Sequence, residues 1–353
     1  MSTATASELV APDARPPAGG ISPSEGGSVG TPRGKKISRE TAKFARDIPA
    51  KSWFAIISSI TLLGLTVAGT FPFWAMPFRV ISSVLAALMI VRVFVIYHDH
   101  QHRAILPKSK LAEWLMKVVG VLLLTPSSVW KHSHDSHHAH NSKLHGNDLG
   151  SFPTMTVERY RASSFGTRCR YRISRHPLTI LFGYITAFIV SMCIEPFCDH
   201  PKKHIDGFLA LVIHGVLIAT VAVVFGWLAV LLAICLPFLI GACLGSYLFY
   251  AQHNFPRVVL KDEDGWTYEG AALESSSFMK MPKILHWFTG NIGFHHIHHL
   301  NARIPFYRLP EVYEAIPELQ HAKTTSLSPV DIYRCFQLKI WDVKEQRLVS
   351  YRG

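Results

Sequence analysis

Acidic residues are scarce in this chain: 24 Asp and Glu stand against 36 Lys and Arg, and charged residues of both signs fill only 17% of its 353 positions. Cysteine is sparser still. The six (Cys169, Cys193, Cys198, Cys235, Cys243, Cys335) form no C-x-x-C pair, which argues against a zinc ribbon or a dithiol redox motif. Three lie in or beside apolar runs and read as reduced packing residues, with Cys193 and Cys198 free to pair only if their loop faces an oxidising compartment. No zinc-finger, RNP or basic-zipper pattern occurs, so the formal charge of +12 does not point to nucleic acid. H-E-x-x-H is absent, and the single E-x-x-H match, Glu318 to His321, lacks the partner that a carboxylate di-metal bundle needs. An internal repeat is missing as well.

Hydrophobic residues, by contrast, make up 49% of the chain and gather in long runs. Residues 53–73 carry no charge, and at about 1.5 Å per helical residue they suffice to cross roughly 30 Å of hydrocarbon. Residues 78–97 form a second run with Arg79 and Arg92 near its ends, where long side chains are expected to snorkel to the interface. Pro72 and Pro77 mark a tight hairpin between the two. Lys35, Lys36, Arg39, Lys43, Arg46 and Lys51 precede the first run, so the positive-inside rule puts the N-terminus and residue 98 in the cytosol. The excess positive charge beside apolar segments suits anionic lipid headgroups. Residues 1–45, rich in Ala, Pro, Gly and Ser, read as a disordered arm without a cleavable signal. Residues 111–124 are too short to span and suit an interfacial or re-entrant helix. The segment with Arg159, Arg161, Arg168, Arg170, Arg172 and Arg175 reads as a solvated, lipid-facing loop.

The residue present in excess is histidine, 20 in all, with nine between His98 and His145 and five between His286 and His299. Three patterns stand out: His98-Asp99-His100-Gln101-His102, His134-Asp135-Ser136-His137-His138 and His295-His296-Ile297-His298-His299. On a helix, positions i, i+3 and i+4 share a face, so each box offers two or three converging imidazoles. Eight or nine imidazoles exceed the four ligands of a closed zinc site and suggest two ions, with Zn, Fe, Cu and Ni all open by ligand type. A shared site also limits topology. Runs at 178–194, 207–225 and 228–250 would, as three spans, put the boxes on opposite sides of the membrane. One must therefore stay on the cytosolic side, and the shortest, about 178–197, is expected to lie at the interface. The expected fold is all-α, with four spans (about 53–73, 78–97, 207–225 and 228–250, the last two joined at Gly226) and a cytosolic helical cap.

With these residues in view, the chain resembles the membrane fatty acid desaturases and their hydroxylase relatives. The resemblance rests on the HDxxH form of the first box, on Trp130-Lys131-His132-Ser133-His134, on Tyr250-Ala251-Gln252-His253, and on Gly290-Asn291-Ile292-Gly293-Phe294 ahead of the third box. Residues 289–309 look most like bacterial acyl-lipid desaturases of the omega-6 and omega-3 type. The resemblance implies metal ligands at His98, His102, His134, His137, His138, His295, His298 and His299, with His253 as a ninth, two iron ions, and O2 as co-substrate. Asp99, Asp135, His100 and Asn291 are expected to stand behind the ligands and orient them. The implied domain covers 46–320, followed by a cytosolic tail at 321–353. The implied reaction introduces a cis double bond into an acyl-lipid or acyl-CoA in a multi-pass bacterial inner-membrane protein. No His-Pro-Gly-Gly haem signature or Gly-rich dinucleotide motif is present, so electrons must come from an external donor such as ferredoxin or cytochrome b5. Two alternatives remain at this level: a hydroxylase or ketolase using the same boxes, and a histidine-rich membrane metal transporter or sensor. The latter expects polar ligands within the spans, which hold almost none apart from His214.

Overall fold

A computed structural model of the chain describes residues 32–145 and 150–352. It is mainly helical, and four helices are long and apolar enough to cross a membrane: α2 (Pro49–Ala68), α3 (Met76–Gln101), α10 (Ile205–Phe225) and α11 (Trp227–His253). Proline opens two of them, at the first turns of α2 and α3, where a missing N–H costs nothing. Gly226, at φ +81°, makes the turn between α10 and α11, a backbone state that disfavours a side chain. α3 is the central helix and packs on both α2 and α11. Its most apolar window is 61% buried, against 11% for α10, whose Phe208, Val216, Val223 and Val224 face outward.

Arg79 and Arg92 do not snorkel. Both are buried: Arg79 Nε donates to Thr70 O (2.8 Å) at the end of α2, and Arg92 donates to Ser59 Oγ and Trp287 O while lying over the Trp287 ring. Acceptors supplied by neighbouring elements remove the need to reach water.

Between the two helical hairpins, α4 (Lys110–Leu122) starts on Ser109, which caps Ala112 N, and bends by 93° into α5 (Ser127–His140). The arginine-rich stretch is not a loop. It forms α6 (Val157–Ala162) and α7 (Phe165–Ser174), and Arg175 at its end is buried. Next, α8 (Pro177–Leu181), a π-helical stretch Tyr184–Ile194 and α9 (Glu195–Asp199) dip into the bundle and return. The dip is fixed by two contacts. Gly183 meets α11 so closely that a Cβ there would collide with Ser246, and Tyr184 OH bonds His214 inside α10. Cys193 then packs on Gly207 at the start of α10.

Two ends of the expected domain differ. Residues 1–31 of the expected disordered arm lie outside the described residues, but α1 (Pro32–Thr41) is helical and buries Ile37 and Thr41, with Asn301 Nδ2 donating to Thr41 Oγ1. The stretch after 320 is no detached tail. β2 (Thr324–Ser326) runs parallel to β1 (Phe278–Lys280), and the antiparallel pair β3 (Ile340–Asp342) and β4 (Arg347–Val349) buries Trp341 completely. Cys335, Phe336, Trp341 and Leu348 share a core with Tyr247 and Tyr250 of α11, which gives this segment its reason to fold.

Candidate metal centre

Four stretches of chain deliver the histidines. The last turn of α3 carries His98, with His102 as its C-cap; α5 carries His134, His137 and His138; α11 ends on His253; and α12 (His295–Leu300) carries the third box. All nine expected imidazoles converge, in two groups. His98, His102, His134, His138 and His298 form one, His137, His253, His295 and His299 the other, with nitrogens in each group within 4.8 Å of one another. In the second group the Nε2 atoms close a ring: His137 to His253 3.1 Å, His253 to His295 2.8 Å, His295 to His299 3.1 Å and His299 to His137 3.3 Å. In the first, His98, His134, His138 and His298 are linked in steps of 3.0, 3.1 and 3.1 Å, and His102 Nε2 lies buried beside them without a hydrogen-bond partner.

These contacts are not ordinary hydrogen bonds. His253 Nδ1 lies 3.3 Å from the Ser275 carbonyl, which only accepts, so the proton sits on Nδ1 and Nε2 presents a lone pair inward. His98 Nδ1 likewise donates to Asp99 Oδ1 (3.1 Å), leaving its Nε2 bare. Lone pairs facing one another at such distances repel unless a cation stands between them. An ion bound at about 2.1 Å holds neighbouring nitrogens about 3.0 Å apart at right angles and about 3.4 Å apart at tetrahedral angles. The ring edges cluster near the first value, so the donor set fits a metal ion in size and in chemistry. Burial holds His102, His295, His298 and His299 well below the usual imidazole range, which keeps them neutral and able to ligate.

Of the expected orienting residues, Asp99 lies beside a box histidine: it is buried, accepts from His98, and takes the Phe306 N–H on its other oxygen at 2.6 Å. The other three need correction. Asp135 points to solvent and pairs with Lys131 one turn away (2.8 Å), since its position on α5 faces away from the box. His100 lies outside both groups, and its buried Nδ1 has no partner. Asn291, at φ +57°, donates from its side chain to Phe306 O (3.1 Å), so it braces the backbone that serves Asp99. His296 is also outside the groups. Its Nε2 bonds Leu319 O (3.1 Å), and burial lowers its pKa to about 4.

Two neighbours escaped the sequence reading, Ser151, whose Oγ lies 2.7 Å from His137 Nδ1, and the Ser275 carbonyl; Trp130, named there only within the motif ahead of the second box, stacks on His134 at 4.3 Å. Only Trp130 left a signal, in its place four residues ahead of His134. A cavity of about 870 Å3 opens beside the centre. Its wall includes His98, His134 and His295, the apolar side chains of Ile90, Phe94, Phe188, Met192, Phe238 and Phe249, and the charged or polar Arg159, Glu195, Asp199, His200 and Lys203.

The family model for fatty acid desaturase matches residues 72–328. The chain is 34% identical over 272 residues to a fatty acid desaturase of Bacillus subtilis, an alignment covering 77% of each protein. It is 22% identical to the sn-1 oleoyl-lipid 12-desaturase of Synechocystis, over 76% of each. To a ferredoxin-dependent sn-1 acyl-lipid omega-3 desaturase of Nostoc it is 25% identical, over 75% of each.

Proposed function

Because this chain belongs to the fatty acid desaturase family, we propose that it introduces a cis double bond into a lipid-linked acyl chain, using O2 and two electrons at a di-iron centre. The observation that carries this reading is that three members of the nine-histidine centre, His98, His134 and His295, line a mainly apolar cavity. His98, His102, His134, His138 and His298 would hold one iron, and His137, His253, His295 and His299 the other. When bound, the irons supply the activation of O2 for removal of two hydrogens from adjacent methylenes. The balance is one O2, two electrons and two protons consumed for two waters formed.

The chain's own residues supply position and dryness. Phe94, Phe188, Phe238 and Phe249 line the path that the acyl chain would take, and neighbouring methylenes are alike enough that only depth along that path selects between them. Its volume lies within the roughly 300–1,000 Å3 usual for small-molecule sites. Arg159, His200 and Lys203 on the same wall suit the phosphates of an acyl-lipid or acyl-CoA. Asp99 and the Ser275 carbonyl fix the tautomers that turn lone pairs inward. The arginines and lysines before α2 favour the cytosolic side for the centre, where an external donor such as ferredoxin or cytochrome b5 would dock.

Expression in a host lacking polyunsaturated lipids, followed by fatty acid profiling with double-bond localisation, tests the proposal. A new double bond at one position is the expected product. A hydroxy or keto product would replace desaturation by oxygen insertion, and an unchanged profile in metal-loaded, reductant-supplied membranes would reject the reading.

A further inference from the structure

A second, smaller cavity of about 370 Å3 lies where α7 meets α8, lined by none of the nine histidines of the candidate centre. Its wall is cationic: Arg172, Arg175, Lys339 and Arg352, together with His176 and Tyr351, and among the described residues no carboxylate lines it. Arg175 forms the floor and is 1% exposed. Its terminal nitrogens donate to Pro153 O, Thr154 Oγ1, Tyr250 OH, Asn254 Oδ1 and Leu338 O, all of them neutral acceptors. Its Nε is buried without a partner, and so is the Tyr351 hydroxyl. A buried guanidinium normally faces a carboxylate or another anion, because neutral acceptors leave most of its charge uncompensated. Here a second cation, Lys339, is buried alongside. Its Nζ bonds the Arg175 carbonyl, and burial, then the Arg175 charge, lower its pKa to about 8.

We infer that this pocket binds a phosphate group, with Arg175 at its floor and Arg172 and Arg352 at its rim. The exposed guanidinia of Arg172 and Arg352, together with the buried charges of Arg175 and Lys339, suit the several acceptor oxygens of a phosphate, and Arg binds such groups through paired N–H donors. The surroundings favour a membrane surface. Exposed Ile173 and Leu178 adjoin the pocket residues Arg172 and Pro177 in the chain, so apolar surface and concentrated positive charge meet there. The same chemistry would take a lipid headgroup phosphate or free inorganic phosphate. The site is separate from the cavity of the histidine centre, with which it shares no lining residue.

The test uses the purified full-length chain in phosphate-free, non-ionic detergent. Calorimetric titration would compare inorganic phosphate, short-chain phosphatidylglycerol and, as the phosphate-free control, short-chain diacylglycerol. Saturable binding of one phosphate-bearing probe per chain is expected, weakened at least tenfold by Arg172→Gln with Arg352→Gln. Arg161→Gln with Arg170→Gln, exposed on the same segment but outside the pocket, should leave it unchanged. Phosphatidylglycerol binding that phosphate cannot compete assigns the pocket to a lipid headgroup; binding of phosphate alone assigns it to the free ion. Both rim variants should keep the wild-type metal content, which separates this site from the histidine centre. Failure of both probes to bind the wild type, or equal affinity in the rim double variant, would overturn the inference.

Discussion

Adjacent histidines in the third box have opposite surroundings. His295 Nε2 belongs to the ring of four, while His296, turned about 100° along the helix, spends its Nε2 on the Leu319 carbonyl. His295→Ala should therefore abolish product and lower bound metal. His296→Ala should keep metal near the wild-type level and retain measurable turnover, although loss of a buried hydrogen bond costs about 1–3 kcal/mol of stability. Equal losses of metal in the two variants would invalidate the register used for all three boxes. Asp99 offers a second contrast. Its two oxygens serve His98 Nδ1 and Phe306 N, and an amide has only one acceptor oxygen for both. Asp99→Asn is thus expected to weaken metal binding by roughly 10- to 100-fold, whereas Asp135→Ala, which breaks only an exposed pair with Lys131, should change metal affinity little. Metal titrations on the two variants, side by side, check this. A comparable loss in Asp135→Ala would mean that the exposed pair positions α5 in a way its geometry does not reveal.

The spans were legible because each of the four apolar runs is long enough to need no neighbour for its identification. The shorter elements were not. Residues 178–197 have the length and hydropathy of a marginal span, and only the requirement that His98 and His253 share a site led to the expectation of an interfacial segment; in the structure they pack into the bundle, with Gly183 against Ser246 and Cys193 against Gly207. Helix α1 and strands β3 and β4 escaped for a different reason: they are short, and tertiary burial of Ile37 and Trp341 fixes them where local propensity does not. Arg175 was misread with its neighbours because nothing in an arginine-rich run marks which member turns inward. The dip gives a direct expectation for topology. In a background with exposed Cys198 replaced, a cysteine at exposed Phe73, between α2 and α3, should react with a membrane-impermeant thiol reagent from outside intact cells. One at exposed Lys203 should react only after permeabilisation. Outside labelling at 203 would put the histidine centre on the opposite face and remove the cytosolic donor from the proposal.

At the scale of the whole molecule, the centre ties together parts of the chain that share little else. α3 and α11 already pack side by side, but the short helix α12 and the bent α5 present several neutral imidazoles each to a common point, where without a cation their lone pairs oppose one another. Metal binding should therefore stabilise the fold as well as supply reactivity, because ligands drawn from four stretches cannot be gathered in the unfolded chain. An ion present at about a thousand times its dissociation constant adds about 4 kcal/mol. Protein purified under reducing, zinc-poor conditions should hold close to two irons per chain, and chelation should lower its melting temperature in detergent by several degrees. Restoring one equivalent should recover part of that shift and a second equivalent the rest, since the two groups share no histidine. His299→Ala, which opens the ring of four, should leave the group of five able to take its own ion and so bring the stoichiometry towards one. A wild-type value of one with full stability, or a melting temperature indifferent to chelation, would mean that the two clusters are not two metal sites, however well their nitrogens are spaced.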